Sequence, residues 1–579
     1  MFKKSIPVQK DLFKDISNHV SARKSKLLSD PKSWHNVFYR EVFNRIEEEV
    51  FTALYCKDNG RPNATLRILL SMMILKEGNG WSDEQLFDEC RFNLKVMASL
   101  GLCHMDDDPP TESTYYDFRK KLTQHHEDKG VDLIKESFQK ITSQQITYHD
   151  VNGEKIRLDS KLIQSNIAKC TRLELILEAV RVFIKPLDLE RLTKLISEED
   201  LELLEKLKQN QTTHITFPLN KSEKNDLLIR LGSIIEHILN EYHGDLSHNL
   251  LKQVFVEHYQ INSSDNSSDD DTDRRHGPEL KPNKEVPSSS IQSVHDPEAS
   301  FRSKGQGYSK QNIAGYHANI TETCSEENGV NLIVDVQLDT ANVSENEFLE
   351  PSITDSEKIL QQSSPQPEQK IIKHVTCDGG YDSKKNREIM GSDNMPHWNM
   401  HNHKGAKQRY ILTIGKHGEL QVYCTKNNEQ CEVTYSQKAN KYVITHSDKT
   451  RRYLTKEQVE DYFLVQQIKS KLRPEDENLR PNVESTIHQV FHRLLKRNKV
   501  KYRGKYKCNM YVISRVFWAN FKRISKNGLK LPGQVVNLAI EMSLSLHFMT
   551  FAQLTMLKMK SLITSKNQNH SLILIPIGL

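Results

Sequence analysis

From the N-terminus onward, apolar positions fall at helical spacing. Leu66, Leu69, Leu70, Met73 and Leu75 share that period, and residues 83–92 (DEQLFDECRF) continue it. Pro109 and Pro110 break the pattern, and the tetrapeptide at 111–114 (TEST) supplies N-caps for a helix through Tyr116, Phe118 and Leu122. Residues 1–150 are therefore expected to form an all-helical N-terminal domain. Two short helices followed by a third suit a DNA-binding helix-turn-helix; a small helical bundle fits the same pattern equally well.

At residues 155–162 (KIRLDSKL) the period changes to two, as in a half-buried strand, with Asp159 on the face opposite Leu158. Residues 151–172 are thus expected to hold the first strand of a core. Helical spacing returns over 173–260 (LELILEAVRVF, EEDLELLEKLK, LLIRLGSIIEHILNEY), a helical insert. Residues 261–300, rich in Ser, Asp and Pro, read as a disordered linker.

The core resumes over 301–395, where strands at 315–324 (GYHANITETC) and 330–338 (VNLIVDVQL) flank a SEENG turn and predict a hairpin. Residues 355–362 suit a helix, and 371–376 a strand ending at CDGGY (377–381). A strand-rich insert is expected over 396–460, with strands at 409–414, 420–424 and 442–445. Residues 461–530 hold a late helix and a basic segment, and 531–579 a helical C-terminal tail. The pattern predicts an α/β fold: strand, hairpin, helix, strand and late helix, broken by two inserts and preceded by the helical domain.

Composition narrows this picture. A chain of 579 residues, 36% apolar and 27% charged, is too long for one core and well hydrated. Its nine cysteines are scattered, with no CxxC pair, which suits a reducing compartment and gives a structural zinc site no support. The first residues lack the apolar core of a signal peptide, so a cytoplasmic location is expected. The apolar run at 535–557 is interrupted by Asn537, Glu541, His547 and Gln553, which favours a buried or partner-facing helix over a membrane span. Net charge is only +5, yet residues 484–530 carry thirteen Lys/Arg and a single acid, Glu484. A basic block of that density suits a polyphosphate partner such as nucleic acid.

Three acids stand where chemistry can gather. Asp159 lies within a strand, Asp378 follows one directly, and Glu484 falls in the first turn of a helix opened by Pro481. Hard divalent cations take carboxylate oxygens. Three converging carboxylates can hold two ions about 4 Å apart, enough to clamp the attacking and leaving oxygens of an in-line displacement. Gly379 and Gly380 would let the backbone turn sharply beside Asp378, and Arg480 stands four residues before Glu484, in reach of a phosphate.

The words around these acids resemble a known family. IRLDSKLIQSNIA (156–168), VTCDGGYDS (375–383) and RPNVESTIHQVFHRLLKRNKVKYRG (480–504) are similar to the three catalytic segments of bacterial insertion-sequence transposases of the Asp-Asp-Glu class. RPNATLRILLSMMILKEGNGWSDEQLFDECRFN (61–93) and PTESTYYDFRKKL (110–122) resemble the subgroup with a helical N-terminal transposase domain. The hairpin segments and RVFWANFKRI (515–524) sit where that family has similar text, so the resemblance spans roughly residues 35–525.

What the resemblance implies is a ribonuclease-H-like catalytic core with the two inserts, acting in the bacterial cytoplasm at the nucleoid. The expected partners are double-stranded DNA, both element ends and target, and further copies of the chain. Asp159, Asp378 and Glu484 match the catalytic acids, expected to bind two Mg2+ ions, with Mn2+ able to replace them. Arg480 matches the arginine of an Arg-x-x-x-Glu signature. The signature lysine normally follows seven residues after the glutamate, where this chain has Phe491; Lys496, Lys499 and Lys501 are the candidates to take its place. Arg503 and Tyr502 fall in the same basic segment and are candidates to contact the DNA end, with a packing role for Tyr502 equally open.

Competing signals are weaker. His397, His401 and His403 could bind zinc, but no Cys or acid stands at ligand spacing, and a polar loop is the simpler reading. Trp398 and Trp518 could stack on DNA, although the helical setting of Trp518 favours core packing. The alternative function is a decayed or repurposed DNA-binding protein that no longer cuts; a stand-alone metal nuclease is a third.

Overall fold

The computed structural model describes residues 1–5, 15–187, 196–242, 246–261, 278–307, 310–364, 369, 371–392, 394–400, 409–471, 481–492, 494–495 and 498–527. The N-terminal region holds α1 (Ala22–Leu28), α2 (Trp34–Glu41), α3 (Leu66–Asn79), α4 (Asp83–Phe92), α5 (Leu94–Ser99), α6 (Glu112–Lys129) and α7 (Leu133–Tyr148). Local chemistry sets their ends. Gly80 closes α3 at φ 75°, a left-handed cap that costs glycine no Cβ clash, and Ser82 opens α4 in a capping box with Gln85. Thr111 accepts from the Thr114 N–H to start α6 after the two prolines.

Next comes β1 (Lys155–Gln164), and then the helical insert of α8 (Arg172–Ile184), α9 (Glu198–Gln209), α10 (Thr212–Thr216), α11 (Lys221–Glu241) and α12 (Leu246–His258). Ile176, Val180, Ile235, Leu251 and Val254 give this insert a core of its own. β2 (Tyr259–Gln260) and β3 (Glu279–Leu280) pair as a short ribbon. The linker expectation fails for residues 278–300, which are packed. Ile291 and Val294 join the core of the insert, and the buried Asp296 carboxylate accepts from the Tyr316 hydroxyl at 2.6 Å. A few well-placed apolar side chains anchor a stretch whose composition is polar. Residues 262–277 of the expected linker lie outside the described residues.

The central sheet follows: β4 (Ser300–Lys304), β5 (Gln311–Thr323), β6 (Ile333–Thr340), α13 (Leu349–Gln362), β7 (His374–Cys377), α14 (Lys384–Gly391) and β8 (His397–Met400). Its order is β4-β5-β1-β7-β8, with β6 also on β5. β5 pairs antiparallel with β4, β6 and β1, whereas β1, β7 and β8 run parallel. The hairpin expected from sequence is β5–β6. α13 begins six residues before the expected helix, because Leu349 and Ile353 extend its buried stripe and Pro351 is tolerated in a first turn. The HWNM segment, read as a polar loop, is instead β8. Trp398 is 1% exposed and its indole N–H donates to Cys377 Sγ at 3.0 Å. His401 and His403 lie outside the described residues.

The strand-rich insert is an antiparallel meander of β9 (Tyr410–Ile414), β10 (Leu420–Cys424), β11 (Gln430–Ser436), β12 (Lys441–Thr445) and β13 (Arg451–Thr455). Leu412, Val422, Cys431 and Ile444 pack with Val459 of α15 (Lys456–Ser470). The last described helices are α16 (Pro481–Phe491) and α17 (Lys505–Asn527).

By contact density the chain divides at residue 523, and only 524–527 of the second unit are described. The expected tail at 531–579 therefore lies outside the described residues. Among the described residues no helix is long and apolar enough to cross a membrane.

Although far along the chain, α17 completes the N-terminal core. Phe517 meets Phe138 and Phe521 meets Phe38, each edge to face at 5.2 Å. Arg515, fully buried, donates to the carbonyls of Glu77 and Gly78 at 2.9 Å and of Val490 at 2.8 Å, closing the C-terminal ends of α3 and α16. A cation is favoured at both ends by the helix dipoles. Trp518 lies flat against Gly78, where an added Cβ would collide with the indole ring. Gly78→Ala should therefore destabilise the chain by about 1–3 kcal/mol through overpacking, despite the better helix propensity of alanine. A urea midpoint equal to or above that of the parent would contradict this packing.

Candidate active site

β1 occupies the middle of the sheet because both its neighbours pair along it, and its alternation puts Arg157, Asp159 and Lys161 on one face. Its register with β7 is parallel, Ile156 against Val375 and Arg157 against Thr376. Two further steps along each strand carry Asp378, the first residue past β7, alongside Asp159. Adjacent strands lie about 4.8 Å apart, so the two carboxylates belong to one neighbourhood.

Local bonds orient both aspartates. The Ser160 N–H donates to Asp159 Oδ1 at 2.8 Å, and the Gly380 N–H donates to Asp378 Oδ1 at 2.8 Å. Asp378 caps a single 3-10 turn at Gly379–Tyr381, in which neither glycine adopts a positive φ. A Cβ at Gly380 would run into the Glu345 carboxylate, which would have to shift to admit it.

Burial, with the negative charges of Asp378 and Glu345 close by, pushes the Asp159 carboxyl up to about 6, against the opposing effects of the Ser160 N–H and Lys304. Glu345 had no sequence signal; it lies in a polar turn after β6, and only the fold brings it here. Burial works to raise it, but Lys304 at 3.0 Å holds it below the usual carboxylate range. His317 is fully buried, and burial lowers it to about 4, so it is neutral at physiological pH. Its Nδ1 lies 2.8 Å from the Val343 carbonyl and must carry the proton, which leaves Nε2 to accept from Ser160 Oγ at 3.0 Å.

Glu484 stands in the first turn of α16, exposed, while Val483, Thr486, Ile487 and Val490 face inward. Thr486 Oγ1 donates to Glu322 Oε2 at 2.7 Å, and Glu322 also accepts from Arg157 at 2.5 Å and Arg523 at 2.7 Å. Since Arg157 and Glu322 are directly paired in the sheet, α16 is tied to the face that bears Asp159. The structure thus brings Asp159 and Asp378 together and holds the helix of Glu484 over the same face. Among the described residues, however, no three His, Cys, Asp or Glu side chains are gathered as a metal cluster. The paired aspartates fit a hard cation by their chemistry: the Asp378 charge raises the cost of charging Asp159, and a bound cation would relieve it.

Of the expected DNA contacts, Arg480 and Lys496 lie outside the described residues. Residues 499–503 run beside the end of β1, with the Val500 N–H donating to the Gln164 carbonyl at 2.9 Å. Lys499 is half-buried, Lys501 Nζ reaches the Gly80 carbonyl at 3.2 Å, and Arg503 is exposed and reaches the Asn166 carbonyl at 2.7 Å. Tyr502 turns inward, its hydroxyl donating to Glu77 and accepting from Lys76 at 3.3 Å. Burial and the Glu77 charge raise its phenol.

Comparison with curated proteins gave no match, nor did comparison with solved structures. Residues 27–121, which include α2 to α5 and most of α6, match the family model described as a transposase domain (DUF772), so the helical N-terminal region of this chain is similar to that domain.

Proposed function

We propose that the chain is a DNA transposase of the Asp-Asp-Glu class, with Asp159, Asp378 and Glu484 as the catalytic acids. The observation that carries this reading is the parallel pairing of β1 with β7, which sets Asp378 alongside Asp159 in the middle of the sheet. Support comes also from the element order: strand, antiparallel hairpin, helix, parallel strand and a late helix over the Asp159 face, as expected of a ribonuclease-H-like core. The similarity of residues 27–121 to a transposase domain supplies the reaction class and DNA as the partner.

In this reading Asp159, Asp378 and Glu484 hold Mg2+, or Mn2+, at the site. Divalent ions there supply Lewis-acid activation of water and of the phosphodiester. The chain itself fixes one oxygen of each aspartate by a backbone N–H and holds α16 against the sheet through Thr486 and Glu322. Hydrolysis of one phosphodiester leaves a 3′ hydroxyl on the element end, and transfer of that end to target DNA exchanges one phosphodiester for another without ATP. Copies of the chain would act together on paired ends.

A cleavage and strand-transfer assay on DNA flanking the gene tests this, with Asp159→Asn, Asp378→Asn and Glu484→Gln beside the parent. Nicking and joining that need Mg2+ and are lost in all three variants, with DNA binding kept, is the expected result. A parent that binds DNA without cutting it points instead to a repurposed DNA-binding protein. Cutting by all four proteins would remove the three acids from the site.

A further inference from the structure

A second charged feature lies away from the aspartates. Between α6 and α17 is a cleft of about 440 Å3, whose walls include Arg119, Lys120 and Lys507 against a single acid, Glu127. Lys120 and Lys507 are exposed, and Tyr116 at the rim is 42% exposed. Among the described residues, none of the three cations has a carboxylate within ion-pair distance. That is unusual company for Arg119, which is only partly exposed.

Aromatic rings hold Arg119 in place. Its guanidinium lies over Tyr115 at 5.6 Å and over Tyr502 at 5.4 Å from the ring centroids. Contacts of this kind fix a cation without using its N–H donors. Among the described residues those donors have no hydrogen-bond acceptor, so a planar fork stands ready at the cleft. Two mobile lysines beside a fixed guanidinium suit a phosphodiester, which offers oxygens to the fork and charge to the lysines. Tyr502 belongs to the 499–503 segment, which runs beside the end of β1, the strand that bears Asp159.

We propose that this cleft takes a phosphate of the DNA backbone, with Arg119 as its fixed ligand and Lys120 and Lys507 as flanking charges. The inference rests on the reading of the chain as a DNA-acting enzyme and adds a place where duplex is gripped.

The test is fluorescence anisotropy of the full chain with a labelled short duplex over a series of salt concentrations. Lys120→Gln with Lys507→Gln changes two exposed side chains and leaves the fold intact. It should weaken binding about tenfold or more at moderate salt and make the slope of log affinity on log salt shallower by about 2. Arg119→Lys keeps the charge but loses the fork, and should weaken binding as well. Unchanged affinity and slope in the double variant, beside a parent that binds, would overturn the cleft and leave the function reading standing. A parent that binds no duplex overturns both.

Discussion

Asp159→Asn should abolish strand cleavage and, in metal-free buffer above pH 7, make the chain more stable than its parent. The activity loss follows from removing a proposed metal ligand. Outer-shell partners of metals already cost about 10–100-fold when removed, so a direct ligand should cost at least about a hundredfold. The stability gain follows from the carboxyl lying at about 6 in the fold against an ordinary 3.8. Because the folded state binds this proton more tightly than the unfolded one, the favourable contribution is full below about 4 and is lost as pH rises through about 6. A rise of that size corresponds to at most about 3 kcal/mol, less after screening on the open side of the site. Asparagine has no such charge to bury. Thermal melts of the two proteins should therefore diverge between pH 4 and pH 7. Parallel melting curves across that range would mean that Asp159 is well solvated and not crowded by Asp378 and Glu345.

Glu322→Ala should cost about 3–5 kcal/mol, the usual penalty for leaving buried partner charges uncompensated. Glu322 is fully buried and joins Arg157, Arg523 and Thr486. Its loss removes the carboxylate shared by two guanidinium groups, one on β1 and one on α17, and leaves Arg523 as the remaining bond to Thr486 in the second turn of α16. Glu322→Gln keeps a hydrogen-bond acceptor for Thr486 but removes the charge, so it should fall between parent and alanine variant. Denaturant titration measures the order; a change under about 1 kcal/mol for alanine would put this cluster among ordinary exposed ion pairs. Because Thr486 follows Glu484 by two residues, both variants should also lose cleavage in proportion to the loosening of α16.

Much of the local structure was legible from the chain alone. Helical periodicity located α3, α4 and α6, and the prolines, Gly80, Ser82 and Thr111 mark their ends by rules that act over a few residues. Alternation located β1 and the β5–β6 hairpin, and the acids of the proposed site stood out by their places within a strand, just after one and in the first turn of a helix, and by the family resemblance of the segments around them. β11 and β13 escaped notice because each buries little: one sheet face is open to solvent, and polar residues there hide the alternation. β8 escaped because four residues with one buried tryptophan are too short a pattern to separate from a loop.

Tertiary structure alone decided the rest. Glu345 comes to the Asp159 neighbourhood through the return of the chain after β6, and His317 through the pairing of β5 with β1, neither of which local spacing encodes. The hydroxyl of Tyr502 is bonded to Glu77 and Lys76, more than four hundred residues earlier, partners that no local spacing reveals. Arg515 looked like one basic residue among thirteen, yet it is buried and closes two helices far apart in sequence. The chain by itself determined which segments are helix or strand and which residues can do chemistry, because those depend on period and side-chain type. Which charges meet, and which are hidden, was decided by long-range packing, because burial and pairing depend on neighbours that only the folded chain supplies.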